Sequence, residues 1–201
     1  MNPRPATPLY GLVLAGGRST RMGTDKAALV HPDGRPLACR GVGLLSMDCS
    51  HVYVSLRHDQ ELPPMIWENP YVHIVRDPDG PGQGPLGGIV AAMRAAPGAD
   101  WLVIACDLPR LDVPTLGHLV SSRLPDELFL CYRSEFDGLP EPLCGYYAAR
   151  SIPILEQALA GGIRCPRKIL IQNHCRLLEP VTPHALDNAN TPADWKSATL
   201  P

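Results

Sequence analysis

The chain has 201 residues and a formal net charge of -2, which excludes the strongly basic face that nucleic-acid binding demands and makes any anion site local. Seven cysteines, at positions 39, 49, 106, 131, 144, 165 and 175, show no Cys-x-x-Cys pair and no zinc-type cysteine–histidine spacing, and they read as reduced thiols. A 45% hydrophobic content excludes disorder, no stretch has the ~20 apolar residues of a membrane span, and the proline-rich residues 1–8 lack the apolar core of a signal peptide.

The expectation is a cytoplasmic protein of one α/β domain over residues 1–201, with a flexible tail at 1–8. Residues 9–15 form a continuous apolar run, the pattern of a buried parallel strand. The run breaks into Gly16-Gly17-Arg18-Ser19-Thr20-Arg21-Met22-Gly23-Thr24-Asp25-Lys26. Two residues without a Cβ let backbone N–H groups approach an anion, and Arg18, Arg21 and Lys26 add positive charge, so the loop suits a triphosphate. Neither common phosphate motif fits: Gly23 is not followed by Lys-Ser/Thr as in a P-loop, and adjacent glycines do not make Gly-x-Gly-x-x-Gly.

Residues 26–35 read as a short extended piece with a turn, and Pro36 opens a helix running to about residue 47. A strand is expected at 51–55, a polar surface loop at 57–70 and a strand at 71–75. A second glycine-rich segment, Asp77-Pro78-Asp79-Gly80-Pro81-Gly82-Gln83-Gly84-Pro85-Leu86-Gly87-Gly88, leads into a helix over 85–96. The apolar strand at 101–105 ends in Cys106-Asp107-Leu108-Pro109. Three strands thus deliver loops to one rim, where open α/β sheets bind ligands.

Beyond it the pattern predicts a helix at 113–123 and strands at 128–133 and 141–149, the latter with Glu141 before a proline as at a sheet edge or a strand entry. A helix capped by Ser151 and closed by Gly161-Gly162 follows at 151–159 and a second at 164–171, then a strand at 175–179 and a terminal helix capped by residues 187–192. Asp107, closing a buried strand, is either a helix N-cap or a metal ligand. A triphosphate loop beside it favours hard-oxygen ligation of Mg2+. Asp77 is a turn residue or a ligand-facing acid, and Asp25 either orients Lys26 or caps a turn. Arg164, Arg167 and Lys168, spaced i, i+3 and i+4, share a helix face that is either solvated or a site for a second anion.

Leu14-Ala15-Gly16-Gly17-x-Ser19-x-Arg21-Met22-Gly23-x-Asp25-Lys26 resembles the signature of the nucleotidyltransferases, most closely the molybdenum cofactor guanylyltransferases. Gly84-Pro85-Leu86-Gly87-Gly88 and Cys106-Asp107-x-Pro109 resemble further motifs of that family, and Glu141-Pro142-Leu143-Cys144 and Asn188-x-Asn190-Thr191-Pro192 resemble its pterin-side segments. The resemblance implies a three-layer α/β/α Rossmann-like nucleotidyltransferase fold with a mostly parallel sheet. It implies transfer of GMP from GTP to molybdopterin or its molybdenum form, with pyrophosphate released and Mg2+ as cofactor.

By the same resemblance Leu14, Ala15, Gly16, Gly17, Lys26, Asp77, Gly84, Gly88 and Asp107 bind nucleotide, with Ser55 where some relatives carry an asparagine. Asp107 holds the metal; Lys26, Arg21 and Asp107 are catalytic; Arg164, Arg167, Lys168, Asn188 and Asn190 face the second substrate. The implied partners are GTP and the molybdenum cofactor, with transient contact to cofactor-delivering or acceptor proteins and with neither nucleic acid nor membrane. Two rivals stay open: a cytidylyltransferase of the same fold and a non-catalytic nucleotide-binding module. Cytidylyl relatives typically carry Ala-Ala-Gly at Ala15-Gly16-Gly17, so the space at Gly16 is expected to admit a purine.

Overall fold

In the computed structural model, residues 7–17, 25–60, 69–76 and 82–199 are described. Their elements run β1 (Leu9–Leu14), α1 (Leu37–Leu45), β2 (His51–Leu56), β3 (Val72–Arg76), α2 (Gly84–Ala95), β4 (Asp100–Ala105) and α3 (Val113–Ser121). Then come β5 (Phe129–Arg133), β6 (Pro140–Tyr147), α4 (Ile152–Ala160), α5 (Pro166–Gln172), β7 (Arg176–Leu178) and α6 (Pro192–Thr199). The strands make one sheet ordered β3-β2-β1-β4-β6-β5-β7, in which β6 alone runs against its neighbours.

The period-two alternation of strand side chains divides the core into two layers. Val13, Val54, Leu102, Ile104 and Leu130 point to one face and pack under Val42 and Leu45 of α1 and Leu116 and Leu119 of α3. Leu12, Trp101, Val103, Phe129 and Cys131 point to the other and meet Leu86, Ile89 and Met93 of α2, Leu155 of α4 and Ile169 of α5. Strands apolar on both faces need helices on both, which makes the architecture the three-layer α/β/α with a mostly parallel sheet that the sequence implied. Each fully buried side chain of this kind contributes about 1.5–3 kcal/mol relative to exposure. No helix of the described residues is long and apolar enough to cross a membrane.

The register sets the ligand rim. Leu14 lies opposite both Ser55 and Ala105, and Leu56 lies opposite Arg76, so β1, β2, β3 and β4 end level with one another. β1 is flanked by strands that come after it on both sides, and the crevice at such a reversal of strand order is where α/β sheets take ligands.

Four local expectations need correction. Lys26–Ala28 is a 3-10 turn rather than extended chain; only the antiparallel bridge Val30↔Pro36 keeps the hairpin character. β6 is an interior strand, so Glu141 stands at a strand entry and not at a sheet edge; the prolines fit because Pro140 lies beyond the part paired with β4 and Pro142 falls at the bulge opposite Cys131 and Tyr132. Ser151 does not cap α4 through its side chain; the hydroxyl donates to the Ala148 carbonyl at 2.7 Å. α5 starts at Pro166, leaving Arg164 outside it, because proline is favoured in the first helical turn and the residue before it is held extended.

Candidate active site

The first glycine loop leaves β1 with its main chain already tied down. The Ala15 N–H donates to the Ser55 carbonyl at 2.9 Å, and the Leu14 carbonyl accepts from the Cys106 N–H at 3.1 Å. Gln60 Nε2 donates to the Ala15 carbonyl at 2.9 Å, and Arg57 Nη1 donates to the carbonyls of Gly16 and Gly17 at 3.3 and 2.7 Å. Space at Gly16 is tight: a Cβ there would come 3.2 Å from the Arg57 backbone nitrogen, so the turn after β2 would have to give by a few tenths of an ångström. A Cβ at position 16 would thus meet the turn after β2, whereas the expectation set it against a purine. Arg21, expected in the catalytic set, and Asp77, expected at the nucleotide, lie outside the described residues, as do residues 1–6 of the expected tail.

Where this loop ends, Asp25 Oδ1 accepts from the Ala27 N–H at 3.0 Å and caps the 3-10 turn. The turn directs Lys26 inward. Its ammonium donates to Asp107 Oδ2 and to Asn190 Oδ1, both at 2.8 Å, with side-chain exposures of 13% for Lys26 and 22% for Asp107. Asp107 is not a helix cap: Asp112 caps α3, accepting from the Thr115 N–H at 2.9 Å. Burial pushes the neighbouring Cys106 thiol far up, with Asp107 and then Asp25 adding to the effect, so it stays protonated.

Asn190 reaches Lys26 because its segment is docked. The Ala189 N–H donates to the Asp107 carbonyl at 3.0 Å. Asp194 Oδ2 accepts from the N–H groups of Asn190 and Thr191, and Thr191 Oγ1 accepts from the Asp194 N–H, a reciprocal cap on α6. The Asn190 N–H and the Thr191 hydroxyl hold the Asp194 carboxyl below the usual carboxylate range.

The second glycine segment is built for packing. A Cβ on Gly88 would come 2.5 Å from Ser55 Oγ and 2.8 Å from Leu14 Cδ2, which puts α2 hard against β1 and β2. Ser55 is 3% exposed beneath it, so its hydroxyl is turned to the helix and not to the rim. Gly84 begins α2 with φ +65°, and a Cβ there would meet the Arg164 carbonyl at 3.0 Å. That carbonyl accepts from the Leu86 N–H at 3.3 Å, and the Arg164 side chain donates to the Leu159 carbonyl at 3.0 Å. Arg164 thus ties the start of α2 to the end of α4.

A cleft of about 680 Å³ is lined by Asn190, the partner of Lys26, and walled by residues 134–137 and 141, Arg167 of α5, residues 186–188 and α6. Of the five residues expected at the second substrate, Arg167, Asn188 and Asn190 line it, whereas Arg164 and Lys168 do not. Arg167 donates to Asp137 at 2.8 Å and to Glu141 at 3.3 Å, while Lys168 is exposed on the helix. The wall is mainly acidic, with Glu135, Asp137, Glu141, Asp187 and Asp194 against Arg110 and Arg167. Arg110 holds the end of α6 through the carbonyls of Ser197 and Ala198.

Sequence reasoning missed Arg57, Gln60, Arg76 and Arg110, because their partners are main-chain carbonyls with no residue signature. As to metals, Mg2+ keeps several waters and takes substrate phosphate oxygens, so one or two carboxylates suffice. Asp107, half in the rim and giving a single oxygen to Lys26, fits that demand. Among the described residues one trio of metal-type ligands occurs, Glu135, His184 and Asp187, which does not include Asp107; Asp187 pairs with His184 Nδ1 at 3.0 Å and Glu135 accepts from the His184 N–H at 2.9 Å.

The family model described as the MobA-like NTP transferase domain matches residues 11–177. The chain is 37% identical over 191 residues to a molybdenum cofactor biosynthesis bifunctional protein of Synechocystis sp., covering 94% of this chain and 53% of that protein, so it spans about half the length of that relative. It is 31% identical over 194 residues to the molybdenum cofactor guanylyltransferase of Pseudomonas putida, covering 94% and 97% of the two chains. The fold matches the crystal structure of molybdopterin-guanine dinucleotide biosynthesis protein A from Archaeoglobus fulgidus with a TM-score of 0.72 at 24% identity, over 94% of this chain and 96% of that one. With a glycine loop, a lysine and a strand-ending aspartate converging on one rim, and with the family match running through nearly all of the sheet, the chain belongs to the MobA-like NTP transferase family.

Proposed function

We propose that this protein transfers GMP from GTP to molybdopterin or its molybdenum form, releasing pyrophosphate, with Mg2+ as cofactor. The observation that carries the reading is Lys26, hydrogen-bonded at once to Asp107 on the nucleotide rim and to Asn190, which lines the 680 Å³ cleft. One cation joining two regions suits a group transfer, in which two substrates must be held with their reacting atoms together. Relatives named for guanylyl transfer to the molybdenum cofactor support the choice of substrates.

In this mechanism the acceptor's terminal phosphate attacks the α-phosphorus of GTP in line, the new P–O bond forms, and pyrophosphate departs. A phosphate monoester is already largely dianionic at neutral pH, so no general base is needed. Positioning and charge neutralisation supply the rate. Lys26 meets charge as it develops on the transferring phosphates. Asp107 would hold Mg2+, which when bound neutralises phosphate oxygens. Asp107 also keeps the Lys26 ammonium in place, and Asn190 fixes it from the acceptor side. The carboxylates of the cleft accept hydrogen bonds, a wall suited to a heterocycle rich in N–H donors.

The test is to incubate the protein with molybdopterin, Mg2+ and each of the four NTPs in turn, following pyrophosphate release. GTP is expected to be consumed, and only in the presence of Mg2+. Preference for CTP would make the protein a cytidylyltransferase, and nucleotide binding without turnover would make it a regulatory module.

A further inference from the structure

Three successive carbonyls of the first loop, those of Ala15, Gly16 and Gly17, are all drawn to the turn at residues 57–60 that follows β2. That turn is itself braced. The Arg57 N–H donates to Gln60 Oε1 at 3.2 Å, and Gln60 is only 3% exposed. Arg76, the last residue of β3, gives one Nη1 to the carbonyls of Arg57, His58 and Gln60 at 3.0, 3.2 and 2.7 Å. The Arg57 guanidinium has further acidic neighbours in Asp59 at 3.2 Å and Asp25 at 3.9 Å, so its charge is engaged within the turn and loop.

Peptide planarity turns these ties into a statement about the amides. In a trans peptide the C=O and N–H of one unit point in opposite directions, and no described peptide bond is cis. Fixing the carbonyls of Ala15 and Gly16 toward the turn therefore aims the N–H groups of Gly16 and Gly17 away from it, both to the same side. Successive N–H groups facing one side make an anion-binding concavity. Left to itself a Gly-Gly peptide samples many orientations, and ordering it costs about 1–2 kcal/mol per residue.

We infer that Arg57 is a positioning residue for nucleotide binding: its guanidinium, with Gln60 as second tie and Arg76 as brace, orients the Gly16 and Gly17 amides toward the phosphates. The inference rests on reading this loop as the phosphate site. It differs from a direct role, in which the Arg57 charge would touch the phosphates, and from a general structural role, in which its loss would loosen the whole fold.

The experiment measures, for wild type, Arg57→Ala, Arg57→Lys and Gln60→Glu, the Kd of sodium tripolyphosphate and of GTP by calorimetry, the Tm, and the KM of the acceptor. Arg94→Ala, which removes an exposed pair with Glu156 far from the rim, is the control. Losing charge-assisted bonds to two carbonyls should raise both Kd values in Arg57→Ala by roughly 10- to 100-fold, with the acceptor KM within about threefold and Arg94→Ala unchanged. Arg57→Lys keeps the charge but loses the planar fork, so it should restore only part of the affinity. Gln60→Glu, which sets an acceptor against the Ala15 carbonyl, should weaken tripolyphosphate in the same direction. Full restoration by lysine would overturn the inference in favour of direct contact, and an unchanged Kd or a parallel loss in acceptor KM and Tm would overturn it in favour of a structural tie. Tripolyphosphate has no base and needs no turnover, so failure of the GMP-transfer reading would leave this arm readable, whereas wild type failing to bind tripolyphosphate would defeat the inference itself.

Discussion

Along the ends of β1 and β2 the groups that face the candidate nucleotide site are peptide units held by other peptide units and by two side chains of one turn. In the cleft beneath α6 the facing groups are side chains, some paired with other side chains, as Arg167 is with Asp137 and Glu141 and Asp187 with His184, and some holding main chain, as Arg110 and Asp194 do. A rim made of main chain comes with the fold, since level C-terminal strand ends followed by glycine present amides whatever the neighbouring residues are. A wall made of side chains depends on partners brought from distant parts of the sequence. Lys26, with its bonds to Asp107 and Asn190, is where the two meet.

If that junction is what unites the regions, its loss should cost most. Asp107→Asn removes the proposed metal ligand and the partner that fixes Lys26, several kcal/mol of transition-state stabilisation, or about 10³-fold in kcat/KM with the fold retained. Near-normal Mg2+-dependent turnover, measured by pyrophosphate release, would separate Asp107 from the chemistry. Lys26→Ala should come next, at roughly 10²-fold or more and chiefly in kcat, because its contact strengthens as charge develops. A change confined to KM for GTP would mean that Lys26 only binds ground states.

Gly16→Ala tests the main-chain half by itself. The new methyl would press on the Arg57 backbone, an overpacking of up to about 1–3 kcal/mol, so kcat/KM should fall by roughly 10-fold or more. Because that methyl meets protein and not base, GTP and CTP should suffer alike in the side-by-side assay; a selective loss of GTP would return Gly16 to the role of purine selector. Arg167→Ala probes the other half and should do least. Its pairs are partly exposed, worth up to about 1 kcal/mol, so melting should move little and the acceptor KM a few-fold at most. A loss on the scale of Lys26→Ala would show that the cleft is organised as tightly as the rim.

The difference between the halves also explains what could be read from the sequence. An apolar run breaking into glycines, and another ending in Cys106-Asp107, announce strand ends with chemistry attached; their order gives an α/β domain, and the three layers came with the family resemblance that those motifs carry. The Lys26–Asn190 bond spans 164 positions and nothing in either neighbourhood signals it. Arg57 and Gln60 sit in a stretch whose polarity reads as surface, yet Gln60 is buried because its amide serves a carbonyl 45 residues away. Arg164, Arg167 and Lys168 have helical spacing, but periodicity says nothing of where a helix starts, and Pro166 starts this one too late to include Arg164.

The reversed strand β6 has its own consequence for divergence. It replaces a strand-to-helix crossover at the rim with a β5–β6 hairpin, whose tip at 134–139 is closed by Ser134 N–H donating to Leu139 O at 2.8 Å and by Gly138 at φ +70°. A hairpin tip can lengthen without shifting any strand, and doubling it costs only about 0.6 kcal/mol in closure entropy. An insertion between Ala15 and Gly17 would instead break the run of carbonyls fixed by Arg57 and Gln60. Insertion and exchange at the hairpin are thus open to a lineage, or an engineer, seeking a new acceptor, while the nucleotide end offers no comparable freedom.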